Sequence, residues 1–117
     1  MKNKVLVYDT TGGYKRFIKL NFNNEFDCES FFDFKEKSTI NYNDYAALFF
    51  FMNDQSELWD MLQIYKKFDV SFLAARIVSI NEKIKNLDDA IFLDLGQSRP
   101  EMIDFIKSNL RLLGVSQ

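Results

Sequence analysis

Three aspartates stand at or just past the ends of apolar runs in the sequence. They are Asp9, Asp54 and Asp94. Ligands of open α/β sheets bind beyond the carboxyl ends of the strands, and carboxylate oxygens are the ligands that Mg²⁺ and Ca²⁺ prefer. The three positions therefore predict a candidate cation site. The alternative is that these acids are solvated in loops or cap the helices that follow.

The loop after the first apolar run is a second candidate site, because Thr10, Thr11, Gly12 and Gly13 precede a helical pattern. Backbone N–H groups at such a turn can hold a phosphate, and the loop is similar to the phosphate loop of flavodoxins. It lacks the Lys-Ser/Thr ending of nucleotide-hydrolysing loops. Flavin or phosphate binding is one interpretation, and ordinary turn chemistry of Thr and Gly is the other.

Side chains for catalysis are scarce. The 117 residues contain no histidine, the common general base, so the single cysteine, Cys28, has no histidine partner. We therefore expect no enzyme activity and no cofactor. A lone cysteine excludes an internal disulfide and favours a reducing cytoplasm. The net charge of −2 argues against a large nucleic-acid or anionic-lipid surface, and no apolar run reaches the length of a membrane span.

The elements that position these residues follow from hydrophobic patterning. Continuous apolar runs indicate strands covered on both faces, and an alternating segment indicates an edge strand. The five predicted strands are Lys4–Tyr8, Phe26–Phe34, Ala46–Met52, Val70–Ala75 and Ala90–Leu95.

Helical patterns follow most of these strands. Tyr14 to Phe22 form one helix, a second runs from a Ser56 cap to about Phe68, and a short helix lies within 76–87. Ser98 to Glu101 form a capping box before the last helix, whereas 35–44 reads as a short helix or loop. We predict a single α/β domain over residues 1–117: a three-layer α/β/α sandwich with a five-stranded parallel sheet, order 2-1-3-4-5.

This order of elements resembles the receiver domain of two-component response regulators, which has a flavodoxin-like fold. The first strand with Asp9 is similar to the family's first strand, which ends in paired acids, and Ser98 to Glu101 with the following helix resemble its last loop and helix. The resemblance covers nearly the whole chain. It implies a regulatory domain of signal transduction.

The positions that carry phosphorylation in receivers depart from the family pattern. Asp9 matches the first acid, but Thr10 stands in place of the second, and Phe50 or Phe51 occupies the position of the phosphorylated aspartate. Ala74 and Ala75 replace the hydroxyl residue and alanine that end the fourth strand. Leu95 and Gly96 likewise replace the lysine and proline that end the fifth. The resemblance therefore implies a degenerate receiver that is not phosphorylated.

Aromatic residues supply the candidate interaction surface. Phe31, Phe32 and Phe34 lie on the predicted edge strand, and Phe92 matches the switching aromatic of receivers, although simple packing is the alternative for Phe92. Exposed aromatic residues form protein-binding surfaces. We expect a phosphorylation-independent regulatory or protein-interaction domain whose partner is another protein or a second copy as a homodimer. The alternative is a small-ligand protein that binds flavin or phosphate.

Overall fold

The computed structural model describes residues 3–31, without the side chain of Phe31, and 40–114. Its five strands form one parallel sheet in the order β2-β1-β3-β4-β5, so the predicted order is confirmed. The strands are β1 (Asn3–Tyr8), β2 (Phe26–Phe31), β3 (Tyr45–Met52), β4 (Ser71–Ala75) and β5 (Ile91–Phe92). The helices are α1 (Gly13–Phe22), α2 (Ser56–Ile64), α3 (Val78–Ile84) and α4 (Arg99–Leu112).

Helices cover both faces of the sheet, which confirms the three-layer architecture. On β3, Phe49 and Phe51 pack into a core shared with α1 and α4, while Leu48, Phe50 and Met52 pack into a core shared with α2 and α3. Successive side chains of a strand point to opposite faces, so this uninterrupted apolar run fills two cores at once. No helix among the described residues is long and apolar enough to span a bilayer.

The ends of two predicted strands differ from the structure. The fifth strand was predicted over Ala90–Leu95 but is limited to Ile91–Phe92, because Asp94 accepts a hydrogen bond from the Gly96 N–H (2.8 Å) and turns the chain. The second strand is described as far as Phe31. Residues 32–34 and most of the predicted 35–44 helix or loop lie outside the described residues, and the described end of that segment is a 3₁₀ turn, Tyr42–Asp44.

The cap of α2 also differs from the prediction, whereas the cap of α4 is confirmed. The carboxylate of Asp54 accepts hydrogen bonds from the Ser56 hydroxyl and from the Glu57 N–H (3.2 Å). The N-cap residue of α2 is Gln55, and Ser56 is its first residue. The helix ends at Ile64 and continues as a 3₁₀ turn, Tyr65–Lys67. At the start of α4, the Ser98 hydroxyl accepts from the Glu101 N–H (3.3 Å) and the Glu101 carboxylate accepts from the Ser98 N–H (3.0 Å), which is the predicted capping box.

The register of the strands decides which loops meet. Met52 pairs with Ala75, so β3 and β4 end at the same level, whereas Tyr8 pairs with Phe50, so β1 ends two residues earlier. The segments that follow these strands therefore share one edge of the sheet. They contain Asp9, Asn53 and Arg76.

Candidate functional site

Asp9 is fully buried at the end of β1, and both of its carboxylate oxygens are hydrogen bonded. Oδ1 accepts from the Thr11 N–H (3.1 Å), the Thr11 hydroxyl (2.9 Å) and Asn53 Nδ2 (2.8 Å). Oδ2 accepts from the Tyr14 N–H (2.7 Å). Burial opposes ionisation of Asp9, but these donors outweigh it and lower the pKa of the carboxyl below its ordinary value. Asp9 is therefore a satisfied anion at neutral pH.

Glu57 is the second buried acid of the site, with 4% of its surface exposed. Its Oε1 accepts from the Thr10 hydroxyl (2.9 Å), and its Oε2 accepts from the Asn53 N–H (3.0 Å). Burial, with a smaller contribution from the negative charges of Asp54 and Asp9, raises the pKa of Glu57. Glu57 thus joins the loop after β1 to the first turn of α2.

Arg76 brings a positive charge to the same edge. Its Nη2 donates to the Thr11 hydroxyl (3.2 Å), and its guanidinium lies 4.8 Å from the centre of the Tyr14 ring. Tyr14 in turn stacks on Phe51, with ring centres 4.8 Å apart. This cation–π contact and stack fix the loop after β4 against the loop after β1.

The Thr10–Gly13 loop is shaped by the chain's own carboxylate. Gly12 adopts a left-handed conformation (φ 81°) at the start of α1, a position that suits a residue without a side chain. Two N–H groups that could hold a phosphate, those of Thr11 and Tyr14, are already bonded to Asp9. A surface cavity of about 310 Å³ lies outside the loop and is lined in part by Gly12, Gly13 and Arg16. Ligand binding there stays a prediction.

The three predicted metal ligands are not brought together. Asp9 is held by its own loop and Asn53, Asp54 accepts a hydrogen bond from the first turn of α2, and Asp94 turns the chain after β5. Within residues 3–31 and 40–114, no group of three or more acidic or cysteine side chains is arranged to hold a metal ion. Each predicted ligand instead has a local structural role.

The two phenylalanines that are candidates for the phosphorylated position of receivers are core residues. Phe50 is fully buried and stacks on Tyr8 with ring centres 4.3 Å apart, and Phe51 is buried on the opposite face against Tyr14. Ala74 and Ala75, predicted to replace the hydroxyl residue and alanine that end the fourth strand of receivers, are buried as well. Apolar side chains therefore fill this part of the edge.

The predicted aromatic surface is only partly described. Phe92 is half-buried in β5, and the Lys85 amine lies 5.5 Å from the centre of its ring. The side chain of Phe31, together with Phe32 and Phe34, lies outside the described residues. The structure does show large apolar side chains exposed elsewhere. These are Leu20, Trp59, Leu62, Val78, Leu112 and Leu113.

Sequence reasoning missed Asn53, Glu57 and Arg76 as members of the site. One available signal was position, because Asn53 directly follows β3 and is therefore nearer the edge than Asp54. The inward face of α2 was predicted from its apolar residues, so an acid on that face had no pattern to reveal it. The structure adds these three residues to Asp9, Thr10 and Thr11.

Comparison with known proteins places this geometry on a known fold. No family model and no curated protein matches the sequence. Among solved structures, the receiver domain of the Francisella response regulator 1452 is similar, with a TM-score of 0.63 and 24% sequence identity. The match covers 96% of this chain and 99% of that domain. The chain therefore has the flavodoxin-like fold of a receiver domain.

Proposed function

We propose that this chain is a non-catalytic regulatory domain that acts through protein contacts and is not phosphorylated on aspartate. The observation that supports the proposal is that Phe50 and Phe51, the two candidates for the position of a receiver's acceptor aspartate, are both buried in cores. Phosphoryl transfer to a receiver needs a carboxylate nucleophile. Neither ring supplies one.

Asp9, the acid that is similar to the family pattern, is a poor substitute for that nucleophile. Asp9 is fully buried, and its two oxygens accept four hydrogen bonds from Thr11, Tyr14 and Asn53. A divalent cation that offsets phosphoryl charge would have to displace these donors. The site is thus built to hold loops together, and we assign it a structural role within the regulatory domain.

The receiver fold supports a regulatory role, because such domains transmit signals through their surfaces. Cys28 is the one cysteine of the sequence and forms no internal disulfide, which supports a cytoplasmic location. The partner is a protein, and the exposed apolar side chains of the helices are its candidate contacts. These include Leu20 and Leu113.

Intact-mass spectrometry after incubation with acetyl phosphate and Mg²⁺ tests the proposal. We expect no added phosphoryl group, while a phosphorylatable receiver domain treated in parallel acquires one. A labile adduct mapped by peptide analysis to any aspartate of this chain would show that the domain is phosphorylated and would overturn the proposal. Asp9→Asn serves as the matched variant, because it removes the one acid that matches the family pattern.

A further inference from the structure

A cleft with acidic edges opens between the amino ends of β4 and β5. It has a volume of about 300 Å³. Val70, Ile91 and Leu113 supply apolar walls, and Asp69 and Asp89 lie at its edge. We call these five residues the acidic cleft.

The two carboxylates of the acidic cleft are available to a partner. Asp69 and Asp89 are exposed, and neither makes an ion pair within residues 3–31 and 40–114. Leu113 beside them is 52% exposed. An occupant that matches this surface carries positive charges next to an apolar side chain.

The outward face of α1 has that chemistry. Arg16, Lys19 and Leu20 are spaced by three and four residues, so they lie on one side of the helix, and all three are exposed. Leu20 is 72% exposed, and neither cation makes an ion pair with a described residue. We call these three residues the basic face.

The two surfaces of one molecule cannot meet each other. The basic face lies on α1, which packs with the β1 and β2 half of the sheet, whereas the acidic cleft lies between β4 and β5 at the opposite half. Pairing of like surfaces is also unfavourable, because it would place two carboxylate pairs or two cation pairs against each other. Complementary surfaces on opposite sides of a subunit associate head to tail.

We propose that the occupant of the acidic cleft is the basic face of a second copy of this chain, so that the domain self-associates head to tail. This inference deepens the proposed function and rests on it, because it names the partner of the regulatory domain. Homo-oligomers are the commonest soluble assemblies. The surfaces are small, so the association is weak and sensitive to salt.

Sedimentation velocity of the full chain at rising concentration tests the inference with two double variants. The cleft variant is Asp69→Lys with Asp89→Lys, and the helix variant is Arg16→Glu with Lys19→Glu. We expect the weight-average mass of the wild type to rise beyond a dimer at low salt and to fall at high salt. Each double variant weakens self-association by roughly tenfold or more.

An equimolar mixture of the two variants is the decisive measurement. Each subunit then keeps one wild-type and one reversed surface, and the reversed surfaces are complementary to each other. The wild-type basic face of the cleft variant meets the wild-type cleft of the helix variant, and the two reversed surfaces also match each other, so the mixture associates while the separate variants do not. Glu82→Lys with Asp104→Lys makes the same change in net charge as the cleft variant, on exposed positions of α3 and α4, and is expected to associate like the wild type.

Three results overturn the inference. They are a wild type that stays monomeric at all concentrations, a wild type whose association neither variant changes, and a mixture of variants that stays monomeric. Thermal melts of every variant show whether it is folded, so that a folding defect is distinguished from a loss of association. A phosphoryl adduct in the mass measurement would overturn the proposed function but leave the sedimentation result unchanged, so the two failures are distinguishable.

Discussion

The Asn53 side-chain amide donates a 2.8 Å hydrogen bond to Oδ1 of the buried Asp9. Asn53 therefore presents a neutral donor to the carboxylate. An acid in place of Asn53 would repel Asp9 unless a cation lay between the two negative charges. The same residue donates its backbone N–H to Glu57. Asn53 thus donates hydrogen bonds to both buried acids of the edge, and it does so without carrying a positive charge.

Replacing Asn53 by aspartate tests this role. Asn53→Asp places a second carboxylate against Asp9, and we expect a loss of about 2–3 kcal/mol in the free energy of unfolding at pH 7, measured by urea denaturation. The loss shrinks as pH falls, because one of the paired carboxyls takes up a proton. Millimolar Mg²⁺ raises the melting temperature of this variant.

Asn53→Ala is the matched control, since it removes the hydrogen bond without adding charge. We expect it to cost about 1–2 kcal/mol at pH 7 and to show no response to Mg²⁺. An Asn53→Asp protein as stable as the wild type in the absence of divalent cations would argue against close packing of the two side chains.

Glu57 makes the stability of the domain depend on pH. Its pKa in the folded chain lies above the ordinary value of 4.5, so the wild type loses stability as pH rises from about that value through the folded pKa. Glu57→Gln cannot ionise, although it loses one acceptor. We expect the free energy of unfolding of the wild type to exceed that of Glu57→Gln most at acid pH, and this difference to become smaller towards pH 7.

The measurement for Glu57 is urea denaturation at several pH values between 4 and 7. The lowered pKa of Asp9 acts in the opposite direction, because its stabilisation is lost as pH falls through its folded pKa. Both proteins share Asp9, so its effect cancels in the difference. Asp104→Asn, at an exposed position of α4, is the control. A stability difference between the wild type and Glu57→Gln that does not change with pH would refute the expectation.

The sheet could be predicted from sequence because its order follows from local patterning, as in the apolar run of Ala46–Met52. The interior of the site could not be predicted in the same way. The contact of Asn53 with Asp9 joins residues 44 positions apart and depends on the register that pairs Tyr8 with Phe50. The end of β5 could not be predicted from apolar patterning either, because it is set by a hydrogen bond to the side chain of Asp94.

Substitutions of Phe50 test whether an aspartate can be introduced at a position predicted to correspond to the phosphorylated aspartate of receivers. Phe50 is fully buried against Tyr8, so Phe50→Ala is expected to cost about 3–5 kcal/mol. Phe50→Asp adds an uncompensated buried charge, and we expect loss of the cooperative urea transition and no phosphoryl adduct. Phe50→Leu, which stays apolar, is expected to fold. A cooperatively folded Phe50→Asp protein would mean that this position opens to solvent.

Asp9 itself decides whether the Thr10–Gly13 loop can hold an anion. Asp9→Ala leaves the N–H groups of Thr11 and Tyr14 without the acceptor that they have in the wild type, near the positive charge of Arg76, and we expect a cost of about 2–4 kcal/mol. Inorganic phosphate can replace the missing carboxylate at this helix start. Millimolar phosphate should therefore raise the melting temperature of Asp9→Ala but not that of the wild type or Asn53→Ala, with chloride at equal ionic strength as the control. Equal stabilisation of the wild type by phosphate would show instead that the loop binds an anion with Asp9 in place.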